Sequence, residues 1–385
     1  MLVLGIETSC DETSVAVLDE EGRVRSNIVS SQLAAHAPYG GVVPEIAARA
    51  HLENLPVVFE QALFEAGIEV SEIDLVAVTA GPGLIGALLV GLSAGKALAF
   101  ARGVPLVPVN HLEGHLFSAF LRARGEAALP VERPFHGLVV SGGHAELVRV
   151  EEGRIVPLAR TRDDAPGEAF DKVARRAGLG YPGGPVIDRV AARGNGSRYP
   201  LPVGRPGDGS NDFSFSGLKT AMLRELQKRR VNGGRPGAFG EPQGPHQKDY
   251  SDTLPGGFGG PQGPPQKDYS DTLIDPESLE PDVVDLLASF QRAIVTALLD
   301  RVETVHREQR MRGLVVSGGV AANSELRRTL SEWGAARGVP VLLPERVFTT
   351  DNAAMIAFAG LLRYRENGVQ DSLAATARSR WPLGS

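Results

Sequence analysis

A strand–turn–strand pattern occurs twice in the sequence, and this repetition constrains the fold more than any other feature. In the first copy, the apolar residues 2–6 are followed by a hydroxyl-rich polar turn and a second apolar run. In the second copy, residues 135–150 show the same pattern around a glycine-rich turn. Each copy is followed by Glu-Glu-Gly-Arg, at 20–23 and at 151–154. Such a repeat predicts an internally duplicated α/β protein, whose ligands would bind where the two halves face each other.

The hydrophobic periodicity between and after the two copies predicts alternating helices and strands. Helices are expected at 45–66, 86–100, 167–176 and 281–311, around Asp188, before Arg230 and after Asp351, and strands at 73–80, 104–109, 313–317 and 339–343. The most apolar run, Gly83–Phe100, contains Lys96 and several glycines, which favours a buried helix over a membrane span.

His111 and His115 are four residues apart, so a helix would place both imidazoles on one face, where they could share a metal ion. A zinc protease of the H-E-x-x-H type would need a glutamate directly after the first histidine. Leu112 occupies that position, and Glu113 would point away from the metal, roughly 200° around the helix from His111. Two histidines at this spacing are about as often surface or capping residues as ligands, and a third ligand would have to come from elsewhere.

Three further segments contain polar groups with alternative roles. The turn at 7–14 offers donors to a phosphate, although a plain hairpin turn explains it equally well. Asn323 follows a glycine turn, over which its amide could reach a base or a sugar edge. Asp351 precedes a predicted helix, and its expected role from the local sequence is that of the N-cap.

The composition argues against several classes of protein. A net charge of −6 argues against an unassisted nucleic-acid-binding domain, because such domains are usually basic. Cys10 is the only cysteine, so the chain can form no internal disulfide, and a reducing compartment is expected. The first residues lack the basic region of a signal peptide. Together these features predict a cytoplasmic protein that does not associate with membranes.

Residues 236–254 and 255–273 are near-identical tandem copies rich in glycine, proline and glutamine. Two polar copies are too few for a packed solenoid. The segment at about 231–275 is therefore predicted to be a low-complexity, mobile inserted loop without a catalytic role.

Seven motifs occur together and in order, at 5–14, 111–115, 140–144, 167–172, 212–219, 318–323 and 350–352. This set resembles the TsaD family of bacterial tRNA N6-adenosine threonylcarbamoyltransferases, formerly called the O-sialoglycoprotein endopeptidase or glycoprotease family. Outside the 231–275 insertion, the resemblance spans essentially the whole chain. It implies an α/β architecture of the duplicated actin/Hsp70-like (ASKHA) ATPase type, with the site in the cleft between two lobes. The first lobe would comprise 1–132 completed by 349–385, and the second 133–348.

The activity implied by the resemblance is transfer of a threonylcarbamoyl group from threonylcarbamoyl-AMP to N6 of adenosine 37, in tRNAs that read codons beginning with A. The resemblance also implies one divalent metal ion, with iron(II) expected and zinc as the alternative, held by His111, His115 and Asp351. The implied substrate-binding residues are Val139, Val140, Ser141, Gly142, Gly143, Asp171, Gly184, Asp188 and Asn323. Asp11 and Glu12 would position or deprotonate the attacking amine. The implied partners are tRNA, a TsaB-like paralogue and a TsaE-like ATPase.

Other classes remain open from the residues alone. A metalloprotease is disfavoured by the predicted direction of Glu113. A non-catalytic, actin-like ATP-binding scaffold would not require the histidine pair, so a bound transition metal would discriminate against it. A sugar or acyl kinase would phosphorylate a small molecule.

Overall fold

A computed structural model describes residues 1–123, 125–204, 206–229, 273–368 and 373–384 of the protein. The predicted insertion therefore lies, up to residue 272, outside the described residues. The described residues form two five-stranded mixed sheets and ten α-helices.

The first sheet has the strand order β3-β2-β1-β4-β5. Strands β1 to β3 are antiparallel, whereas β4 pairs with β1 and β5 pairs with β4 in parallel. Its strands are β1 (Leu2–Glu7), β2 (Glu12–Asp19), β3 (Val24–Ser31), β4 (Leu75–Gly81) and β5 (Leu106–Asn110).

The second sheet repeats this topology, with the order β10-β9-β6-β7-β8. Strands β6 to β8 are antiparallel, and β9 and β10 extend the other side in parallel. Its strands are β6 (Phe135–Val140), β7 (Ala145–Glu151), β8 (Arg154–Arg160), β9 (Leu314–Ser317) and β10 (Val341–Leu342). Equivalent strands thus occupy equivalent positions in both sheets, which confirms the predicted duplication.

The helices fill the connections between the strands. They are α1 (Leu33–His36), α2 (Pro44–Ala66), α3 (Ile85–Arg102), α4 (His111–Ser118), α5 (Pro166–Arg176), α6 (Gly183–Ala191), α7 (Ser216–Lys228), α8 (Pro281–Gln309), α9 (Ser324–Arg337) and α10 (Ala353–Asn367). The predicted helices are all present, with ends that differ by a few residues.

Helices α4 and α10 join the two sheets. Helix α10 packs on β1, β2 and β4 of the first sheet and against α4, while α4 also contacts β6 and β9 of the second sheet. One apolar core accordingly contains Val3 of the first sheet, Leu112 and Leu116 of α4, and Val139 and Val315 of the second sheet. The chain therefore returns to the first sheet after it has built the second.

The prediction that α3 is a buried helix is wrong for one of its faces. Gly91 and Leu92 face the first sheet, but Leu89 and Phe100 are exposed. Among the described residues, α3 alone is long and apolar enough to span a membrane by length and composition. Its packing against β4 and α2 explains the apolar character of its inner face.

Candidate metal centre and substrate cleft

The candidate site lies at the carboxyl ends of the parallel strands, where open α/β sheets commonly bind ligands. Strand β1 ends at Glu7, and β5 runs directly into α4. The side chain of Asn110 caps α4 by accepting a hydrogen bond from the Leu112 amide at 2.9 Å. This cap fixes the start of the helix, so His111 lies in its first turn and His115 one turn further along.

His111, His115 and Asp351 form a compact cluster of metal-ligating side chains. One potential ligand atom from each residue lies within 4.8 Å of the others. Asp351 Oδ1 is 3.1 Å from His115 Nε2 and 3.5 Å from His111 Nε2. The chain thus brings a carboxylate from just before α10 to the histidine pair on α4.

The prediction that Asp351 is an N-cap is wrong. The cap of α10 is Asn352, whose Oδ1 accepts a hydrogen bond from the Met355 amide at 3.1 Å. Because the neighbouring asparagine caps the helix, the Asp351 carboxylate is directed at the histidines instead.

Glu7 is a functional residue that the sequence analysis did not single out. It is fully buried, and its Oε2 lies 3.1 Å from His111 Nδ1. Thr79 Oγ1 and the Ser9 amide donate hydrogen bonds to the same carboxylate, at 2.6 and 2.5 Å. A carboxylate on the far nitrogen of a histidine ligand fixes the ring orientation and the tautomer. The only signal in the sequence is an acidic residue at the end of an otherwise apolar strand.

The residues present fit a divalent transition metal. Although Asp351 Oδ1 is close to His115, neither buried ring nitrogen of His115 makes a hydrogen bond to any residue that the structure describes. Burial lowers the pKa of His111, but the carboxylates of Asp351 and Glu7 outweigh burial and raise that pKa to about 9. Burial likewise raises the pKa of Asp351, but the two histidines outweigh it and hold that pKa far below its usual range. Two imidazoles and a carboxylate are a donor set typical of iron(II) and zinc sites.

Asp11 is the last residue of the turn between β1 and β2, and Glu12 is the first residue of β2, beside this cluster. Burial, followed by the charges of Asp351 and Asp11, raises the pKa of Glu12 to about 10. Across the cleft, burial raises the pKa of Asp171 and of the Tyr181 hydroxyl, and the charge of Asp11 adds to both shifts. The turn therefore faces both the metal ligands and the residues of the second half.

The residues from Val139 to Gly143 divide into a buried and an open part. The side chains of Val139 and Val140 belong to the apolar cores, so these residues can offer only backbone groups to a ligand. The Ser141 amide closes the turn by bonding to the His144 carbonyl at 2.8 Å. Gly142 and Gly143 are exposed, and an added Cβ on either would meet no atom within 4 Å.

His144, at the end of this turn, lies close enough to the candidate metal ligands for their charges to affect its pKa. Burial lowers the pKa of His144 to about 4, and the charges of His111 and His115 add to that shift. The glycine turn of the second sheet therefore lies beside the histidine pair of the first half.

Asp171 and Gly184 lie where α5 meets α6. Asp171 Oδ1 accepts a hydrogen bond from the Gly183 amide at 2.7 Å, which holds the start of α6 against α5. A Cβ added to Gly184 would meet no atom within 4 Å. Asp171 thus makes a hydrogen bond that stabilises the junction of α5 and α6, and there is open space beside Gly184.

Asp188 and Asn323 meet at the start of α9. Asp188 accepts hydrogen bonds from the Ser324 amide and hydroxyl, the latter at 2.8 Å. The Asn323 side chain caps α9 through Leu326 N at 3.0 Å and donates to Gln291 Oε1 at 2.7 Å. Both side chains therefore make hydrogen bonds that stabilise the fold, and their role in nucleoside binding stays a prediction.

Glu113 points away from the cluster, as the helical geometry predicts. It is half-buried, and its Oε2 accepts a hydrogen bond from Arg363 Nη1 at 3.2 Å. Glu113 therefore cannot serve as the general base of a metal-dependent protease, which removes the main support for that class.

The duplicated sheets and the site at their carboxyl edges define a protein of the two-lobed actin/Hsp70-like ATPase class. Full-length HypF, solved in a phosphate- and nucleotide-bound form, has the same overall fold, with a TM-score of 0.55 and 12% sequence identity over 96% of this chain and 56% of that one.

The TsaD family model, described as tRNA N6-adenosine threonylcarbamoyltransferase, matches residues 23–358. Proteins of that name from Geobacter sp. (strain M21) and Thermodesulfovibrio yellowstonii are each 45% identical to the chain. The first alignment covers 100% of this chain and 97% of the Geobacter protein, and the second covers 100% of both. The chain belongs to the TsaD family, as the seven motifs predict.

Proposed function

We propose that the protein transfers a threonylcarbamoyl group from threonylcarbamoyl-AMP to N6 of adenosine 37 in tRNAs that read codons beginning with A. The observation that carries this proposal is the buried cluster of His111, His115 and Asp351 next to an open glycine turn, in a chain of this family. The two features suit the two ends of the donor, since the cluster can bind a metal and the turn can admit phosphate oxygens to backbone amides.

In this proposal His111, His115 and Asp351 hold one divalent ion, with iron(II) favoured over zinc. Such an ion, when bound, supplies positive charge that polarises a carbonyl or phosphoryl oxygen. Glu7 keeps Nε2 of His111 directed at the cluster through its contact with Nδ1. The nucleotide end of the donor lies on the backbone of 139–143, with its ribose and adenine along Asp171, Gly184, Asp188 and Asn323.

The reaction forms a bond between N6 and the carbamoyl carbon, breaks the bond from that carbon to the phosphate oxygen, and releases AMP. The amine must lose a proton as it attacks. Burial and the charges of Asp351 and Asp11 raise the pKa of Glu12, which favours its neutral form. We assign positioning and deprotonation of the attacking amine to Asp11 and Glu12 together.

Helices α2 and α3 present an apolar surface suited to a partner protein. Their outer faces expose Leu52, Phe64 and Phe100, the last two to 86% and 78%, beside a groove of about 560 Å³. Exposed apolar area of this kind marks a protein–protein contact. We propose that a TsaB-like paralogue covers this face and that a TsaE-like ATPase assists the complex. The net charge of −6 supports a need for such partners in binding tRNA.

We also propose that the first lobe comprises 1–132 with 349–385 and that the second comprises 133–348. The packing of α10 on β1, β2 and β4 supports the assignment of the C-terminal segment to the first lobe. A tRNA-modifying enzyme with a single cysteine is most consistent with a cytoplasmic location.

The test is to incubate the protein with both partners, threonylcarbamoyl-AMP and unmodified tRNA, and to measure the threonylcarbamoylated nucleoside by mass spectrometry. We expect the modified nucleoside with wild type and none when the donor is omitted. A TsaD relative of known activity provides the positive control. If that control is active and this protein gives no product but cleaves a glycoprotein or only binds ATP, the transferase proposal is wrong.

A further inference from the structure

A buried polar network lies behind the turn that presents Asp11 and Glu12. Two histidines belong to it: His36, at the end of α1, and His51, on the inner face of α2. Neither ring has any exposed surface, and the network's other members, Thr13 and Gln32, are also buried. Buried polar groups of this kind require specific partners, because an unsatisfied one destabilises the fold.

His51 binds the acidic turn on both sides. Its Nε2 lies 3.0 Å from the carbonyl oxygen of Cys10, and its Nδ1 lies 2.8 Å from Thr13 Oγ1. Cys10 directly precedes Asp11, and Thr13 directly follows Glu12. One imidazole therefore spans the two residues that the proposed function places at the attacking amine.

The network permits only one assignment of its protons. A carbonyl oxygen can only accept, so His51 Nε2 carries the proton and its Nδ1 accepts from Thr13 and from Gln32 Nε2, which lies 3.2 Å away. Gln32 Nε2 also faces the Ala47 carbonyl, so its Oε1 accepts from His36 Nε2 at 3.2 Å. Burial lowers the pKa of His51, which agrees with a neutral ring.

The hydrogen bonds at the other end of the network give the same assignment of protons independently. The Val43 amide can only donate, and it lies 3.3 Å from His36 Nδ1, so that nitrogen is an acceptor and His36 Nε2 is the donor. The segment between these two residues touches the other half of the molecule, since a Cβ added to Gly41 would lie 3.2 Å from Arg175 Nη2 on α5. The network thus extends from the acidic turn to a segment in contact with the helix that bears Asp171.

We infer that His51 is a positioning residue for the transfer reaction: as a neutral ring protonated at Nε2, it clamps residues 10–13 so that Asp11 and Glu12 are held at the attacking amine. Gln32 and His36 complete the clamp by fixing the orientation of His51. The inference rests on the roles proposed for the two acids. His51 itself touches no reacting atom.

The test is a steady-state comparison of variants in the complete transfer assay, with metal content and thermal midpoint measured on each. His51→Ala should lower kcat by about 100-fold, the effect of a displacement of about 1 Å, and leave both KM values within about twofold. The kcat of His51→Gln should be about tenfold higher than that of His51→Ala, because the glutamine amide can still donate to the Cys10 carbonyl. Thr13→Val, which keeps the shape of the side chain, should lower kcat by about two- to tenfold.

His136→Gln is the matched control, since His136 is also a buried histidine with a side-chain amide partner but lies on the far sheet. It should leave kcat unchanged. A wild-type kcat in His51→Ala would overturn the inference. So would a loss in His51→Ala that is explained by lost metal or stability while Thr13→Val is fully active.

Asp11→Asn and Glu12→Gln in the same assay separate this inference from the proposed function. If both acid variants are impaired and the His51 variants are normal, the clamp is wrong and the acid roles stand. If the acid variants are normal and the His51 variants lose kcat, the roles of the acids are wrong, and so is a clamp that acts through them.

Discussion

The two equivalent turns of the duplicated fold have opposite characters. In the turn after β1, Thr8 and Ser9 are buried, and a Cβ on Gly91 would lie 2.4 Å from Thr8 Oγ1. In the turn after β6, Gly142 and Gly143 are exposed and have open space where a side chain would be. The first turn is thus packed with buried side chains, of which Ser9 Oγ lies 3.1 Å from Nδ1 of the candidate metal ligand His111, whereas the second turn leaves its backbone exposed.

The largest effect is expected when a candidate metal ligand is removed. His115→Ala should abolish metal binding, because the remaining histidine and carboxylate cannot form a stable site with the ring removed. The measurement is metal content per chain by elemental analysis. His136→Ala serves as the control, since it removes a buried histidine outside the cluster. Full metal occupancy in His115→Ala would contradict the assignment of His115 as a metal ligand.

Removal of the carboxylate behind His111 should have the next largest effect. Glu7→Gln keeps the size of the side chain but replaces the carboxylate with a neutral amide, so that His111 Nδ1 loses its charged partner. Loss of such a contact typically lowers metal affinity by about 10- to 100-fold. A competition titration against a chelator measures the change. Unchanged affinity, with a folded protein by circular dichroism, would show that the Ser9 hydroxyl, whose Oγ lies 3.1 Å from His111 Nδ1, is sufficient to orient the ring.

A pair of glycine substitutions tests the contrast between the turns directly. Gly91→Ala should destabilise the protein by about 1–3 kcal/mol, because the new methyl group overlaps Thr8 Oγ1. Gly142→Ala should change stability by less than about 0.5 kcal/mol, because the methyl group meets no protein atom. Denaturant unfolding measures both. Equal effects in the two variants would contradict the difference between a crowded and an open turn.

The smallest effect is expected from the tandem copies. Deletion of 233–272 should leave stability and activity nearly unchanged, since the composition of the segment predicts a loop, and closure entropy changes by only about 0.6 kcal/mol for each doubling of loop length. Thermal unfolding and the transfer assay are the measurements. A large fall in the thermal midpoint would show that the copies pack on the rest of the protein.

Local patterns were sufficient to predict the elements of the fold and two of the three candidate metal ligands. The period of the apolar residues located the strands and helices, and the spacing of His111 and His115 placed both rings on one face of α4. The direction of Glu113 followed from the same helical geometry. The duplication was visible because both copies keep the same order of strand, turn and strand.

The remaining features depend on contacts that local sequence does not encode. Asp351 and Asn352 are equally suitable N-caps by residue type, and only the packing of α10 decides that Asn352 is the cap. Glu7 acquires its role from an element far along the chain. The outer face of α3 could not be predicted, because a helix that is apolar all round gives no sign of which side packs.

The most direct test of the roles proposed for the open turn and the metal cluster is the affinity for an adenylate. Calorimetric titration with AMP should show binding to the metal-loaded wild type, and Gly142→Val should weaken it by about tenfold or more, equivalent to about 1.4 kcal/mol. Metal content and stability should be unchanged, since a Cβ at this position meets no protein atom within 4 Å. Undiminished AMP affinity in Gly142→Val, or loss of its metal, would contradict the assignment of nucleotide binding to the open turn and of metal binding to the separate cluster of His111, His115 and Asp351.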